Sequence, residues 1–183
     1  MKNRFMVVFL LMALLLGCEE NVLPKPKAML RLEYSRPNAA IVETDHFSFE
    51  YNQLAKLNDK KSTSLSLTYP EMKASIFINY KKVDGNLEKL TMDAQRLSYE
   101  HAAKADNIRP REYENKENRV YGAFFEVIGN AASQAQFYVT DSTQHFVTGS
   151  LYFASRPNYD SIYPAAVYLQ QDIAHIMETL RWK

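Results

Sequence analysis

Apolar and polar residues alternate with a period of two in several short segments of this chain. Because successive side chains of a strand point to opposite faces, such alternation predicts strands that are half buried in a sheet. The segments with this pattern, or with a continuous apolar run, are 29–34, 47–51, 65–69, 74–80, 120–128, 135–139 and 146–153. Polar residues 141–144 separate the last two and predict a tight turn, so these two segments form a β-hairpin. We expect an antiparallel sheet of five to seven strands.

Two longer segments show the apolar spacing of amphipathic helices. Apolar residues recur at steps of three and four from Leu87 to Ala105, after a turn at 84–86, and again from Ile162 to Leu180. Pro164 fits the first turn of the second helix, where the missing amide costs no helical hydrogen bond. The pattern therefore predicts helices over about 86–106 and 162–180 on the sheet. This is an α+β fold, an antiparallel β-sheet packed with two long amphipathic helices, and the order of elements resembles the Mog1/PsbP-like α/β/α sandwich.

The N-terminus has the pattern of a lipoprotein signal peptide. Lys2 and Arg4 precede an apolar run at 5–16, which is shorter than the about 20 apolar residues that a membrane-spanning helix needs. The run ends in Leu-Leu-Gly-Cys at 15–18, the form of a lipobox, in which a small residue precedes the cysteine that receives the lipid. We expect cleavage before Cys18 and acylation there, including palmitate. The alternatives are an ordinary secretory signal or a buried structural thiol.

This interpretation divides the chain into three parts. Residues 1–17 are the lipoprotein signal peptide, 18–28 are the lipidated cysteine and an extended tether, and 29–183 form a single α+β domain. The tether is extended because Pro24 and Pro26 each push the preceding residue out of the helical region. Cys18 is the only cysteine, so the mature chain has no intrachain disulfide.

Charge and motifs exclude several classes of function. The mature chain carries 20 basic against 21 acidic side chains, and this balance argues against nucleic acid or an anionic membrane face as the main partner. The sequence has no glycine-rich phosphate loop, no H-E-x-x-H zinc motif and no cysteine pair. We therefore predict no enzymatic activity, no catalytic, cofactor-binding or metal residues, and no small-molecule substrate.

Two groups of polar residues remain as candidates for chemistry. Asp141, Ser142 and His145 are the residue types of a catalytic triad, but their short spacing fits a turn in which Asp141 and Ser142 bond nearby backbone amides. Asp172 and His175 lie three residues apart on the second helix and could ligate a metal from one face. Zinc needs a third ligand that the sequence does not indicate.

His101 lies on the apolar stripe of the first predicted helix, and we expect a hydrogen-bonded core histidine there. Segment 156–161 is predicted to be a rigid loop before the second helix. Its structural interpretation is that Pro157 stiffens the loop while Asp160 or Ser161 caps the helix. Its functional interpretation is a partner-docking surface, because arginine and tyrosine are favoured at interface centres. The residues of that surface are Arg156, Asn158, Tyr159 and Asp160.

Several stretches resemble the gliding motility lipoprotein GldD family of Bacteroidetes. They are 24–27 with 30–32, 47–51, 69–74, and a long C-terminal run from 129–133 through 141–143 to 156–161. The resemblance implies an accessory envelope lipoprotein that supports gliding motility and the associated type IX secretion system by binding or stabilising partner proteins. It also favours a position on the periplasmic side of the outer membrane. Some relatives carry a cysteine pair near the first sheet strands, which this chain lacks.

Two other functions stay open at this point. One is a periplasmic module that binds a small ligand or a cell-wall fragment between sheet and helix, and the other is an unrecognised hydrolase. A large polar-lined pocket favours the binding module, and titratable groups converging in it favour the hydrolase. A filled core with an exposed aromatic or arginine patch favours protein docking.

Overall fold

The structure is a computed structural model that describes residues 38–61, 63–100, 104–154 and 158–183, and the side chains of all of these except 59–61. The strands are β1 (Ala39–Glu43), β2 (Phe47–Asn52), β3 (Lys56–Lys61), β4 (Ser64–Tyr69), β5 (Ala74–Lys82), β6 (Asn107–Asn115), β7 (Val120–Ile128), β8 (Ser133–Thr140), β9 (His145–Phe153) and β10 (Arg181–Trp182). The helices are α1 (Leu87–Glu100) and α2 (Tyr159–Thr179).

These strands form two antiparallel sheets. The larger has seven strands in the order β3-β4-β5-β9-β8-β7-β6, and the smaller has the order β1-β2-β10. Both edges of the larger sheet carry many charged residues, and β6 also contains Pro110. Charges and proline on an edge strand discourage pairing with another chain. The α+β class and the antiparallel sheet are confirmed.

The larger sheet is covered on both faces. On β8, the side chains of Phe137 and Val139 pack in one cluster with Leu169 of α2, whereas Tyr138 packs in a second cluster with Leu90 of α1. Because neighbouring residues of a strand face opposite sides, the two helices lie on opposite faces. Sheet β1-β2-β10 lies on the α2 side, since β2 contacts that helix closely. The helix–sheet–helix layers agree with a sandwich, while kinship with the Mog1/PsbP-like fold stays a prediction.

Gly149, at the centre of the sheet, leaves room for an aromatic ring on the neighbouring strand. It lies directly opposite Phe137 in the β8–β9 register, and a Cβ at Gly149 would overlap the Phe137 ring. The ring is 2% exposed and cannot move aside. The glycine therefore lets a large aromatic side chain cover the strand, a cross-strand pairing that fixes the register of β8 and β9.

The first predicted helix is correct in position but wrong at its C-terminal end. Strand β6 begins at Asn107, and residues 105–106 are not helical. The predicted apolar stripe is also partly wrong, because Leu97 is 43% exposed while Ser98 is buried and donates its hydroxyl to Gln136 at 3.1 Å. His101 lies outside the described residues, as do the predicted strand at 29–34 and the tether.

Candidate functional site

The turn between β8 and β9 is organised by the Asp141 carboxylate. Its Oδ1 accepts the backbone N–H groups of Thr143, Gln144 and His145 at 2.8–3.0 Å, and its Oδ2 accepts the Thr143 hydroxyl at 2.7 Å. Burial alone would raise the pKa of Asp141, but these four donors outweigh it and lower the pKa to about 2. Asp141 therefore satisfies backbone donors of its own turn, as the turn interpretation predicts.

The structure does not assemble a triad from these residues. Ser142 is exposed, with a φ of 67°, and no hydrogen bond among the described residues joins its hydroxyl to the His145 ring. The Nδ1 of His145 pairs with the Tyr80 hydroxyl at 3.0 Å, and its ring stacks on Trp182 at 5.2 Å between centroids. Burial and nearby His46 lower the pKa of His145, against the opposing charge of Asp141. The imidazole is thus a packed, hydrogen-bonded ring.

Asp172 lies in a polar cluster between α2 and β2. Its Oδ2 accepts the Asn52 amide at 2.8 Å, and the same amide nitrogen donates to the Tyr168 hydroxyl at 2.8 Å. Burial raises the pKa of Asp172, while the neighbouring Tyr69 hydroxyl and the Asn52 amide oppose that rise. Asn52 completes the network by accepting the Leu54 backbone N–H through its Oδ1. The cluster anchors the smaller sheet to α2.

His175 has a different partner from Asp172. Its Nε2 lies 3.0 Å from the Glu50 carboxylate, and both side chains are nearly half exposed. Within the described ranges, no group of three or more His, Cys, Asp or Glu side chains is placed to hold a metal ion. The i, i+3 pair thus tethers α2 to β2 through two separate contacts.

The second half of the proposed docking segment is helical, which corrects the loop predicted there. Tyr159, Asp160 and Ser161 belong to α2, and Asn158 is its N-cap although its side chain makes no capping hydrogen bond. Pro164 therefore lies inside the helix and not in its first turn. Residues 155–157, which include Arg156, lie outside the described part of the chain.

Tyr159 is held more firmly than a loop residue would be. Its N–H donates to the Asn130 side chain at 2.9 Å, and its ring packs edge-on against Tyr163 at 5.5 Å. Burial, followed by nearby Tyr163 and Glu126, raises the pKa of Tyr159 to about 12. Asn158 and Asp160 are exposed beside it. The segment therefore combines one anchored aromatic ring with polar groups on the surface.

A cleft of about 360 Å³ lies at the opposite end of the large sheet. The β6–β7 turn, the β8–β9 turn and β10 meet there, and the Trp182 indole N–H bridges two of them by donating to the Arg119 carbonyl at 3.0 Å. Of the residues that the structure describes, three cationic ones line the cleft: Arg119, Arg181 and Lys183. This cleft was not predicted from the sequence, although Arg181-Trp182-Lys183 places the only tryptophan between two cations.

A second missed feature is an aromatic pair on the α1 side of the sheet. Phe77 is 43% exposed, and its ring contacts that of Tyr152 edge-on at 5.9 Å. The register places Phe77 between Ser66 on one neighbouring strand and Ser150 on the other. The available signal was Phe77 itself, an apolar residue on the polar side of an alternating strand.

Comparison with known protein families decides the family of this chain. The model of the gliding motility lipoprotein GldD family matches residues 19–182. The chain belongs to the GldD family. No curated protein matches the sequence significantly.

The GldD match covers every element of the fold and starts directly after Cys18. It therefore confirms the resemblance found in the sequence and identifies a member of a family of gliding motility lipoproteins. In the part of this GldD-family chain that the structure describes, neither helix is long and apolar enough to cross a membrane.

Proposed function

We propose that this GldD-family chain is a non-enzymatic, lipid-anchored envelope protein that supports gliding motility and the associated type IX protein secretion system. It does so by binding or stabilising partner proteins. Cys18 carries the lipid, and the domain faces the periplasm from the outer membrane. The lipobox and the family description support the anchor and the motility role.

The observation that carries the proposal is that the polar side chains that catalysis would need are already bound to other groups of the protein. Asp141 binds backbone amides of its own turn, and His145 is bonded to Tyr80 and stacked on Trp182. Asp172 and His175 fasten α2 to β2 through separate partners. A general base or nucleophile must instead point its reactive atom at a substrate. The arrangement supports a protein that acts through its surface.

The alternative, a small-ligand or cell-wall-binding module, needs space between sheet and helix. On the α2 side that space is filled, because Leu169 and Ile173 of the helix and Val139 and Leu151 of the sheet have no exposed surface. On that side a ligand could enter only by displacing close-packed side chains, each worth about 2 kcal/mol of burial. The filled core therefore favours partner binding over a ligand site on the α2 side, whereas an open cleft of about 340 Å³ lies on the α1 side, next to Leu87 and Tyr138.

The N-terminal end of α2 is the docking surface that we propose, with Arg156, Asn158, Tyr159 and Asp160. The Tyr159 ring packs against Tyr163 and its backbone N–H is held by Asn130, so little conformational entropy is lost on binding. Asn158 and Asp160 are exposed around it. An ordered aromatic residue within a polar rim is the usual composition of an interface centre.

Photo-crosslinking in living cells tests this surface. A benzoylphenylalanine at Asn158, which is exposed and makes no capping bond, is expected to form a covalent adduct with another envelope protein. The matched control carries the same group at Glu88, which is exposed on α1 on the other side of the sheet, and should give no such adduct. Adducts identified by mass spectrometry should contain a protein whose level falls when this chain is deleted. Equal adducts from both positions, or none from either, would contradict the proposed surface.

A further inference from the structure

The cleft between the two sheets contains two arginine side chains, Arg119 and Arg181. The Nη2 of Arg119 donates to the Asp141 carbonyl and the Thr143 hydroxyl, at 3.4 and 3.2 Å. The Nη1 of Arg181 donates to the carbonyls of Leu180 and Glu178, at 2.8 and 3.2 Å. Among the described residues, neither guanidinium forms an ion pair with a carboxylate. Each therefore keeps both its charge and free N–H donors for an anionic group.

The third cation is only weakly engaged. Lys183 pairs with Glu43 at 3.2 Å, and the Glu43 side chain is 70% exposed. Exposed ion pairs of this kind contribute about 0–1 kcal/mol and exchange readily with other partners. Lys183 can therefore turn toward a bound anion at little cost.

A flat aromatic surface borders these cations. The Trp182 ring is stacked on His145 with 9° between the ring planes, and its edge contacts Phe47 of the smaller sheet. Its N–H is already satisfied by the Arg119 carbonyl. The indole is thus fixed in place, so it offers an apolar contact next to the charges without an ordering cost.

We propose that this cleft binds an acidic peptide segment of a partner protein, with carboxylates against Arg119 and Arg181 and an apolar part of the segment on Trp182. The inference rests on the proposed function in one respect, that the partners are proteins, and it concerns the opposite end of the sheet from Asn158. Its arginine–tryptophan composition is the one favoured at binding hot spots.

The lining of the cleft favours a peptide over a lipid surface. Three cations are accompanied by the carboxylates of Glu117 and Asp141, so the described residues of the cleft carry only a small net positive charge. An anionic membrane contributes about 1 kcal/mol per basic residue, and stable attraction needs a cluster of about four to eight such residues. A concave cleft of about 360 Å³ with two separate guanidinium groups fits one or two side-chain carboxylates better.

Tryptophan fluorescence provides the test, because Trp182 is the only tryptophan of the chain. The full lipidated protein in detergent micelles is titrated with a hexapeptide of alternating glutamate and alanine, and in parallel with the matching glutamine–alanine peptide. We expect a saturable change in Trp182 emission with the glutamate peptide alone. Arg119→Gln and Arg181→Gln should each weaken that binding about tenfold. Arg96→Gln is the control, since Arg96 is an exposed residue of α1 paired with Asp93 and should leave binding unchanged.

Salt supplies a readout that requires no variant. Raising the salt from low to physiological concentration should weaken binding of the glutamate peptide several-fold, because screening shortens the range of charge interactions to about 8 Å. Equal binding of the glutamine peptide, or no saturable signal, would overturn the proposal. So would a larger response to inorganic phosphate or to phosphatidylglycerol vesicles than to the peptide. These binding results are independent of the crosslink from Asn158. Either proposal can therefore be contradicted while the other one holds.

Discussion

Leu169→Asp is expected to unfold the domain at ordinary temperature. Leu169 has no exposed surface and lies in the core between α2 and the large sheet, next to Ile173 and Ile176. An unpaired carboxylate there costs roughly 3–5 kcal/mol, and about 2 kcal/mol of apolar burial is lost as well. Together these losses match much of the roughly 5–15 kcal/mol that stabilises a typical domain. Thermal unfolding followed by circular dichroism should show no cooperative transition near that of the unmodified protein.

The matched control for this substitution is Gln171→Asp, on the exposed side of the same helix. It introduces the same side chain without burying it, so the free energy of unfolding should change by less than about 1 kcal/mol. If Leu169→Asp melted like Gln171→Asp, then α2 would not pack on the sheet and the core described above would be incorrect.

Cys18→Ala is expected to abolish lipidation altogether. The thiol is the only atom of the lipobox that can form the thioether, and the chain has no second cysteine to replace it. Metabolic labelling with an alkyne fatty acid should fall to background, and the protein should move from the membrane fraction to the soluble fraction. Binding through an acyl chain gains about 0.8 kcal/mol per buried CH₂, so its loss removes the main attachment to the bilayer.

Asn21→Ala serves as the control for Cys18→Ala, since it lies close to the processing site but outside the lipobox. This variant should be labelled and membrane-bound like the unmodified protein. Persistent labelling of Cys18→Ala would show that the lipid is attached elsewhere. In that case the N-terminus would be an ordinary secretory signal.

Strands and helices with one strongly apolar face were predictable from the sequence. In β5, buried Ala74, Ile76, Ile78 and Tyr80 alternate with exposed or half-buried residues, as the period of two requires. The strands that the sequence analysis missed are those where this signal is absent. They are β1, β3 and β6, which lie at sheet edges, and β10, which has only two residues.

Boundaries were less predictable because tertiary contacts set them. Ser98 is buried on the sheet side of α1 and donates its hydroxyl to Gln136 of β8, a contact between residues 38 positions apart that hydrophobic periodicity cannot reveal. Helix α2 begins at Tyr159, before the first residue of the apolar stripe, where the Asn130 side chain accepts the Tyr159 N–H. In both cases the contact is with a polar side chain that is distant in the sequence.

The candidate sites also differ in how far they could be predicted from the sequence. The role of Asp141 followed from local turn chemistry, since its acceptors serve residues within four positions along the chain. The cleft was not predictable, because Arg119, Asp141 and Trp182 come from three distant turns and strands that only the sheet topology brings together. The nearly neutral total charge of the sequence does not reveal a local group of cations, because that total says nothing about where the charges lie.

Colony spreading of cells that carry single substitutions tests the central claim, that the protein binds partners and catalyses nothing. The informative variants are Ser142→Gly, which suits the positive φ, Asp172→Asn and His175→Gln, both of which keep a hydrogen-bonding side chain. Each removes a group that a hydrolase or a metal site would require, while the cleft and the Asn158 surface stay intact. With melting temperatures near that of the unmodified protein, all three variants should spread normally. Loss of spreading in one well-folded variant, with partner levels and crosslinking unchanged, would contradict the account and indicate a chemical step.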